Sequence, residues 1–424
     1  MRRSICAGAT ASDERRQSAH SSLGSPRPRR APTAVWHVAK QNGGAAGRPA
    51  ALRGEASRVD HSESANRWAW PGVGYLPAPL KEKHVMKSTL SVALGSLLIV
   101  LTALLDPGLA TAQQFSDWSS PTNVNAMVRG DGTPCPAVVN STADDQHMTI
   151  SKDGLSLIFS SNRPGGSGGQ DLWVTARGSR DDCWGEPANL GNVVNSAVMD
   201  LAPNLTTDGH WLYFHSRRPG GCGGGTSGEL WVSRRQDKRD NFGWETPVNL
   251  GCAINLEGID QAGPNHFEDE ASGTQFLYFT RKPSSATEDF FDIYVSTCNA
   301  DLATCNLQGL WSVGEPVAAL NSPPDPAHGF GRDTRTAIRR RDGLEMILSS
   351  KRAPGLIDLW TSTRATTLDQ NWSVPRNLSV LNSSANDGAP AISWDGTELY
   401  FYSNRTGVLG ATGGNDLYVS TRGR

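Results

Sequence analysis

Residues 117–124 read DWSSPTNV, and four later stretches resemble them: CWGEPANLG at 183–191, GWETPVNLG at 243–251, LWSVGEPVAAL at 310–320 and NWSVPRNLS at 371–379. Each later copy closes a unit that has already run through three strand-like segments. The copy at 117 has nothing before it to close. A chain that begins with the end of a repeat is expected where its first and last segments must be joined.

The unit emerges by aligning the chain on Asp-Gly. MTISKDGLSLIFSSNRPGGSGGQDLWVTAR spans 148–177 and PNLTTDGHWLYFHSRRPGGCGGGTSGELWVSRR spans 203–235. PNHFEDEASGTQFLYFTRKPSSATEDFFDIYVST spans 264–297, RTAIRRRDGLEMILSSKRAPGLIDLWTSTR 335–364 and PAISWDGTELYFYSNRTGVLGATGGNDLYVSTR 390–422. Each copy opens with a short apolar segment and turns at Asp153, Asp208, Asp342 or Asp395, each followed by Gly. Asp-Gly suits the positive φ of a tight hairpin. The third copy has EDEASG instead, so a longer loop is expected there. The next segment alternates (Leu155, Leu157, Phe159), which is the period of a strand. A loop follows, Gly-rich in most copies, then Asp-Leu-Trp-Val or its like, then the Trp-x-x-Pro element. Pro187, Pro247 and Pro375 suit an edge strand, where a missing N–H costs no ladder bond.

Four antiparallel strands in tandem, with no helical period, predict an all-β fold, a β-propeller. The third-strand motif and the outer-strand Trp (Trp118, Trp184, Trp244, Trp311, Trp372) each occur five times, predicting five blades. Residues 117–124 then complete the last blade, whose own copy stops after three strands, and so close the ring.

Upstream, MKSTLSVALGSLLIVLTALLDPGLATAQQ from Met86 has a basic start, an apolar run over 90–105 and the small-residue site Ala110-Thr111-Ala112. It reads as a signal peptide over 86–112. Residues 1–85 are rich in Arg, Ala, Ser, Gly and Pro without periodicity, and read as an untranslated or disordered extension. Residues 113–424 are then a single exported propeller domain, periplasmic or secreted, with no membrane span of its own. They carry 25 Lys and Arg against 35 Asp and Glu, and an acidic surface repels phosphate backbones, so nucleic acid is excluded as a partner. Six cysteines in an exported chain permit disulfides. Cys298 with Cys305, and Cys222 with Cys252, are the expected pairs. Cys135 and Cys183 remain, and strand direction would put them on opposite faces. No cofactor or metal is predicted.

The pattern Ser-x-Asp-Gly-x-x-Leu-x-Phe-x-Ser-x-Arg, a Gly-rich loop and Asp-Leu-Trp-Val resembles the WD40-like repeats of the periplasmic TolB propeller. The likeness covers about 118–422. It implies a monomeric, non-enzymatic binding or scaffold module for a protein or cell-envelope component. No segment matches TolB's separate N-terminal domain.

Three rings of residues recur. Asp145, Asp200, Asp260 and Asp387 each follow an Asn by five residues, with Asp325 as a shifted counterpart. At the channel mouth they are candidate ligand-binding carboxylates, although they could equally cap their own loops. The cations Arg163, Arg218, Lys282, Arg352 and Arg405, and the acids Asp171, Glu229, Asp292, Asp358 and Asp416, are expected to pair across the loops as scaffold. Residues that break the repeat are the other candidates: His147, where other blades have Ala; His328; His266 and Glu268 in the irregular third copy; and Arg332, Asp333 and Arg335. The alternative function is a glycan-binding or glycoside-hydrolase-type propeller using Asp145, Asp200, Asp260 or Asp387 as its carboxylates.

Overall fold

The computed structural model describes residues 115–222, 227–282, 291–323, 332–352 and 355–424. The extension, the signal peptide and His328 lie outside them, as does Asp325. The described chain forms five four-stranded antiparallel sheets. The inner strands are Asp145–Ile150, Asp200–Leu205, Gln261–Asp269, Asp333–Ile338 and Asp387–Ile392. Each packs on the inner strand of the next blade, and the fifth packs on the first. This is a five-bladed β-propeller. Among the described residues, the named helical elements are the short Val124–Ala126 and Leu302–Leu307.

Thr122–Asn123 pairs with Tyr418 and Val419, so the N-terminal strand does complete the last blade. Further bonds extend the seam, from Ser119 N–H to the Thr421 carbonyl and from Ser116 N–H to the Gly423 carbonyl. Apolar clusters fill the gaps between blades. At the seam, Leu157, Phe159 and Trp184 of the first blade pack on Tyr400, Leu417 and Val419 of the fifth.

Each blade runs inner strand down, a turn (Asp-Gly in four blades), second strand up, third strand down and outer strand up. The starts of the inner strands and the Gly-rich loops therefore share one face, here the upper. The Asp-Gly glycines adopt φ of 67–79°, and the aspartates accept N–H bonds two residues on, as from Leu155 to Asp153.

The outer-strand tryptophans are all buried, and four lie under an arginine six residues beyond the start of the third strand. Arg177 covers Trp184, Arg235 Trp244, Arg364 Trp372 and Arg422 Trp118, at 4.2–4.5 Å. Each arginine donates its Nε–H to the carbonyl of that blade's Asp-Gly glycine at 2.7–2.8 Å. One guanidinium thus ties the turn to the outer strand. The third blade lacks both Asp-Gly and this Arg. Cys298 stands in the Arg position, and its disulfide to Cys305 joins the core around Trp311.

Cys222–Cys252 forms as expected, and Cys135 and Cys183 are also joined. The opposite-face expectation for the last pair fails because 127–135 is not a simple climb to the first blade. It folds into a hairpin, with Val128 bridged to Pro134 and Gly130 donating to the Asp181 carbonyl. This carries Cys135 down to the lower-face loop that holds Cys183. Three disulfides place the domain in an oxidising compartment. Among the described residues, no helix is long and apolar enough to cross a membrane.

Candidate ligand site at the channel mouth

The ring aspartates do not face the channel water. The carboxylates of Asp145, Asp200, Asp333 and Asp387 are 0% exposed and paired with Arg163, Arg218, Arg352 and Arg405 at 2.5–3.0 Å. Each also accepts the backbone N–H and hydroxyl of a serine: Ser141, Ser196, Ser322 or Ser383. The same arginines donate to carbonyls of the preceding connection, as from Arg163 to Val139 and from Arg405 to Leu381. The ring is a set of buried struts, so Asp145, Asp200 and Asp387 present no free oxygen to a ligand. The fourth-blade member is Asp333, not Asp325.

In the third blade Gln261 takes the ring position, pairing with Arg281, and Leu256 replaces the serine. Arg281, rather than Lys282, donates to the Ile254 carbonyl there. This leaves Asp260 one residue above the ring. Its side chain is 30% exposed and 3.7 Å from Arg217. The expected pairing of Arg163 with Asp171 is also absent. Asp171 instead accepts from Gly168 N–H and Asn189, capping the Gly-rich loop.

A second ring does line the channel. Two residues after each ring position the inner strand bulges and φ turns positive: His147 (50°), Ala202 (60°), Gly263 (59°), Arg335 (46°) and Ala389 (48°). A bulge with a left-handed residue re-aims its side chain, here toward the axis. Three blades carry only Ala or Gly, while His147 and Arg335 fill the space. A Cβ on Gly263 would lie 2.8 Å from Arg335 Cδ, so the missing side chain in the third blade lets Arg335 lie across the channel. Below this ring the channel narrows to a cavity of about 20 Å³.

Above it opens a cavity of about 230 Å³ built from all five blades. Its chemistry comes from His147, His215, Arg217, Arg332, Arg335 and Tyr402, with Phe291 as a further aromatic wall. His215 and Tyr402 occupy one repeat position, the last but one of the second strand. Ser160, Thr280 and Ser349 fill it elsewhere. His215 Nδ1 lies 2.8 Å from the Gln261 carbonyl, which accepts only, so Nδ1 carries the hydrogen and Nε2 the lone pair. Gly228 makes room for this ring, since a Cβ there would lie 1.9 Å from His215 Cε1. The His147 and Tyr402 rings meet edge to face at 6.0 Å.

Burial and mutual repulsion shape the charges. Burial, then Arg335, His215 and Arg332, hold His147 well below the ordinary histidine value. Burial lowers His215 to about 4. Burial, and then Arg332, push Arg335 down to about 9. Among the described residues no carboxylate lines this cavity, and none pairs with Arg332 or Arg335 within 4 Å. The buried Arg332 Nε and His147 Nδ1 have no hydrogen-bond partner.

Of the sequence candidates, His147, Arg332 and Arg335 meet in this cavity. His266 does not: it is buried in the second–third blade core, stacked on Tyr213 and bonded to Gln275. Glu268 accepts from Gln275 in the same strand pair. His215, Arg217, Phe291 and Tyr402 were missed.

No protein-family model matches this chain, and no curated protein sequence does. Solved structures match at low identity. The α-L-arabinofuranosidase from Podospora anserina shares 10% identity, covering 73% of this chain and 98% of its own, with TM-score 0.44. The endo-arabinase from Bacteroides thetaiotaomicron shares 12%, covering 72% and 96%, with TM-score 0.42. A family 117 glycoside hydrolase from Zobellia galactanivorans shares 13%, covering 73% and 90%, with TM-score 0.42. These are glycoside hydrolases, not TolB-type scaffolds. The expectation of a non-enzymatic module for a protein or envelope component is corrected accordingly.

Proposed function

We propose that this is an exported, glycan-directed propeller whose ligand enters the upper mouth of the central channel. The observation that carries this reading is the 230 Å³ cavity. It combines aromatic side chains at Tyr402 and Phe291 with convergent donors from four blades, the mixture a sugar ring requires. Its volume is a little under the roughly 300 Å³ at which whole-ligand pockets begin, which suits one terminal sugar of a longer chain. The domain is 113–424, released from the signal peptide after Ala112, and it acts as a monomer in the periplasm or outside the cell.

Hydrolysis in the usual manner needs two water-accessible carboxylates roughly 5–9.5 Å apart. The buried ring aspartates cannot serve. Asp144 and Asp260, each one position above the ring in its own blade, are partly exposed and are the carboxylates to test for turnover. The test is a saccharide panel read by both binding and release of reducing ends. Binding lost on changing Tyr402→Ala, with melting temperature kept, supports the site. Saccharide binding that survives Tyr402→Ala and Phe291→Ala together contradicts it. Release of reducing ends lost in Asp144→Asn or Asp260→Asn assigns the hydrolytic role.

A further inference from the structure

We propose that the sugar seated in this mouth carries an anionic substituent, a uronic-acid carboxylate or a sulfate ester, clasped by Arg335 with Arg332 and Arg217. The inference rests on the glycan reading above and names its substrate class.

Three guanidinium groups converge on one small cavity, and among the described residues the only carboxylate that pairs with any of them is Asp260, 3.7 Å from Arg217. Elsewhere in the molecule many arginines hold a carboxylate. Arg163, Arg218, Arg352 and Arg405 each hold a buried aspartate, and Arg339 and Arg422 hold Glu345. Other interior arginines, Arg235, Arg281 and Arg364, donate to backbone carbonyls, whereas Arg217, Arg332 and Arg335 line an open cavity together. Guanidinium groups that line an open cavity, with no lining carboxylate among the described residues, keep N–H donors available to an anionic ligand.

Three further features point the same way. Arg335 stands at a ring position where Ala and Gly serve three other blades, so the bulge shared by every blade aims a long cationic side chain at the axis in this blade. Gly263 leaves the space it crosses. Arg332 keeps a buried Nε–H without an acceptor. Carboxylate and sulfate oxygens fit the planar donor fork of arginine, and the two neutral histidines add a donor or an acceptor as the substituent demands.

The groups facing His147 are Arg335 and Arg332 from the fourth blade, His215 from the second and Tyr402 from the fifth. All but Tyr402 depress its proton affinity. An anion placed among them offsets the repulsion, so binding raises the proton affinity of His147 and ligand affinity rises as pH falls.

The experiment is calorimetric titration of the purified protein with an oligouronide, a sulfated oligosaccharide, the neutral oligosaccharide of equal length, and inorganic sulfate. The expected result is that one acidic saccharide binds at least ten-fold more tightly than the neutral one. Which acidic saccharide binds separates uronate from sulfate ester. Arg335→Gln weakens it by roughly 10- to 100-fold, the loss of one charged bidentate contact. Arg335→Lys recovers part, and Lys238→Gln on the lower face changes nothing. Melting temperatures of all variants show that each is folded. Equal binding of acidic and neutral saccharides overturns the anion inference and leaves the glycan reading standing. Binding of inorganic sulfate with no saccharide binding keeps the anion site and removes the glycan reading. Acidic binding unchanged in both Arg335→Gln and Arg332→Gln overturns the assignment to this mouth.

Discussion

Asp145 and His147 lie two residues apart on one strand and do opposite things. Asp145 is sealed in an ion pair, and breaking such a pair from one side typically costs about 3–5 kcal/mol. Asp200→Ala or Arg218→Ala should therefore lower stability by about that amount in urea denaturation while leaving ligand affinity intact. His147 and Arg335 sit at positive φ, where a side chain costs about 1–2 kcal/mol relative to glycine's freedom. Arg335→Gly should hold or raise the melting temperature and abolish binding. A fall of several degrees would mean that Arg335 is structural. Alignment alone could not separate these residues, because an acid in a repeat reads the same whether it faces water or an arginine. One signal was legible: Ser141, Ser196 and Ser383 precede Asp145, Asp200 and Asp387 by four residues, the spacing of a side-chain cap. In the third blade Leu256 and Gln261 replace that serine and that aspartate together.

At the scale of the element, the Trp-x-x-Pro strand, the third-strand Arg and the Asp-Gly turn form one interlocked unit. Its logic was only half visible in sequence, since the turn and the Trp are motifs while the Arg lies among other arginines (RR at 234–235). Trp118→Ala should cost about 3–5 kcal/mol as a buried large-to-small change, and it should act on ring closure because Trp118 belongs to the seam. Protease cleavage near residue 117 rising with this change would show the seam opening. In the third blade the eight-residue loop closed by Cys298–Cys305 stands in for the Arg, and replacing both cysteines by serine should cost roughly 2–3 kcal/mol in the chain-entropy view. Thermal melts of this double variant with and without reductant give the comparison. A melting temperature equal to wild type would show the bridge to be dispensable.

For the whole molecule, the repeat made the architecture readable and hid the site. Every blade obeys the pattern that builds the ring. The mouth is made from exceptions contributed by five blades, such as His215 and Tyr402 where others have Ser or Thr. No single stretch of sequence contains more than a fraction of it. The irregular third blade illustrates the limit: Asn255 and Asp260 keep the five-residue spacing, yet pairing to Arg281 gives the ring position to Gln261. The buried histidines also set a property of the whole fold. His215 and His266 titrate near 4 when folded and near 6.5 when unfolded, and His147 is lowered too. The unfolded chain therefore binds more protons over this window, so stability falls as pH drops from about 6.5 toward 4 and is insensitive to these groups above about 7. Melting curves across pH 4–8, for wild type and a His266→Gln variant, should show a shallower acid slope in the variant.

The most direct measurement is histidine side-chain NMR during titration with the acidic oligosaccharide, the neutral analogue serving as control. The mouth reading predicts that His147 and His215 shift, with His147 moving toward its protonated signature, while buried His266 stays fixed as an internal reference. Saturating ligand that leaves His147 and His215 unmoved would place binding elsewhere and contradict the assignment of the channel mouth as the site.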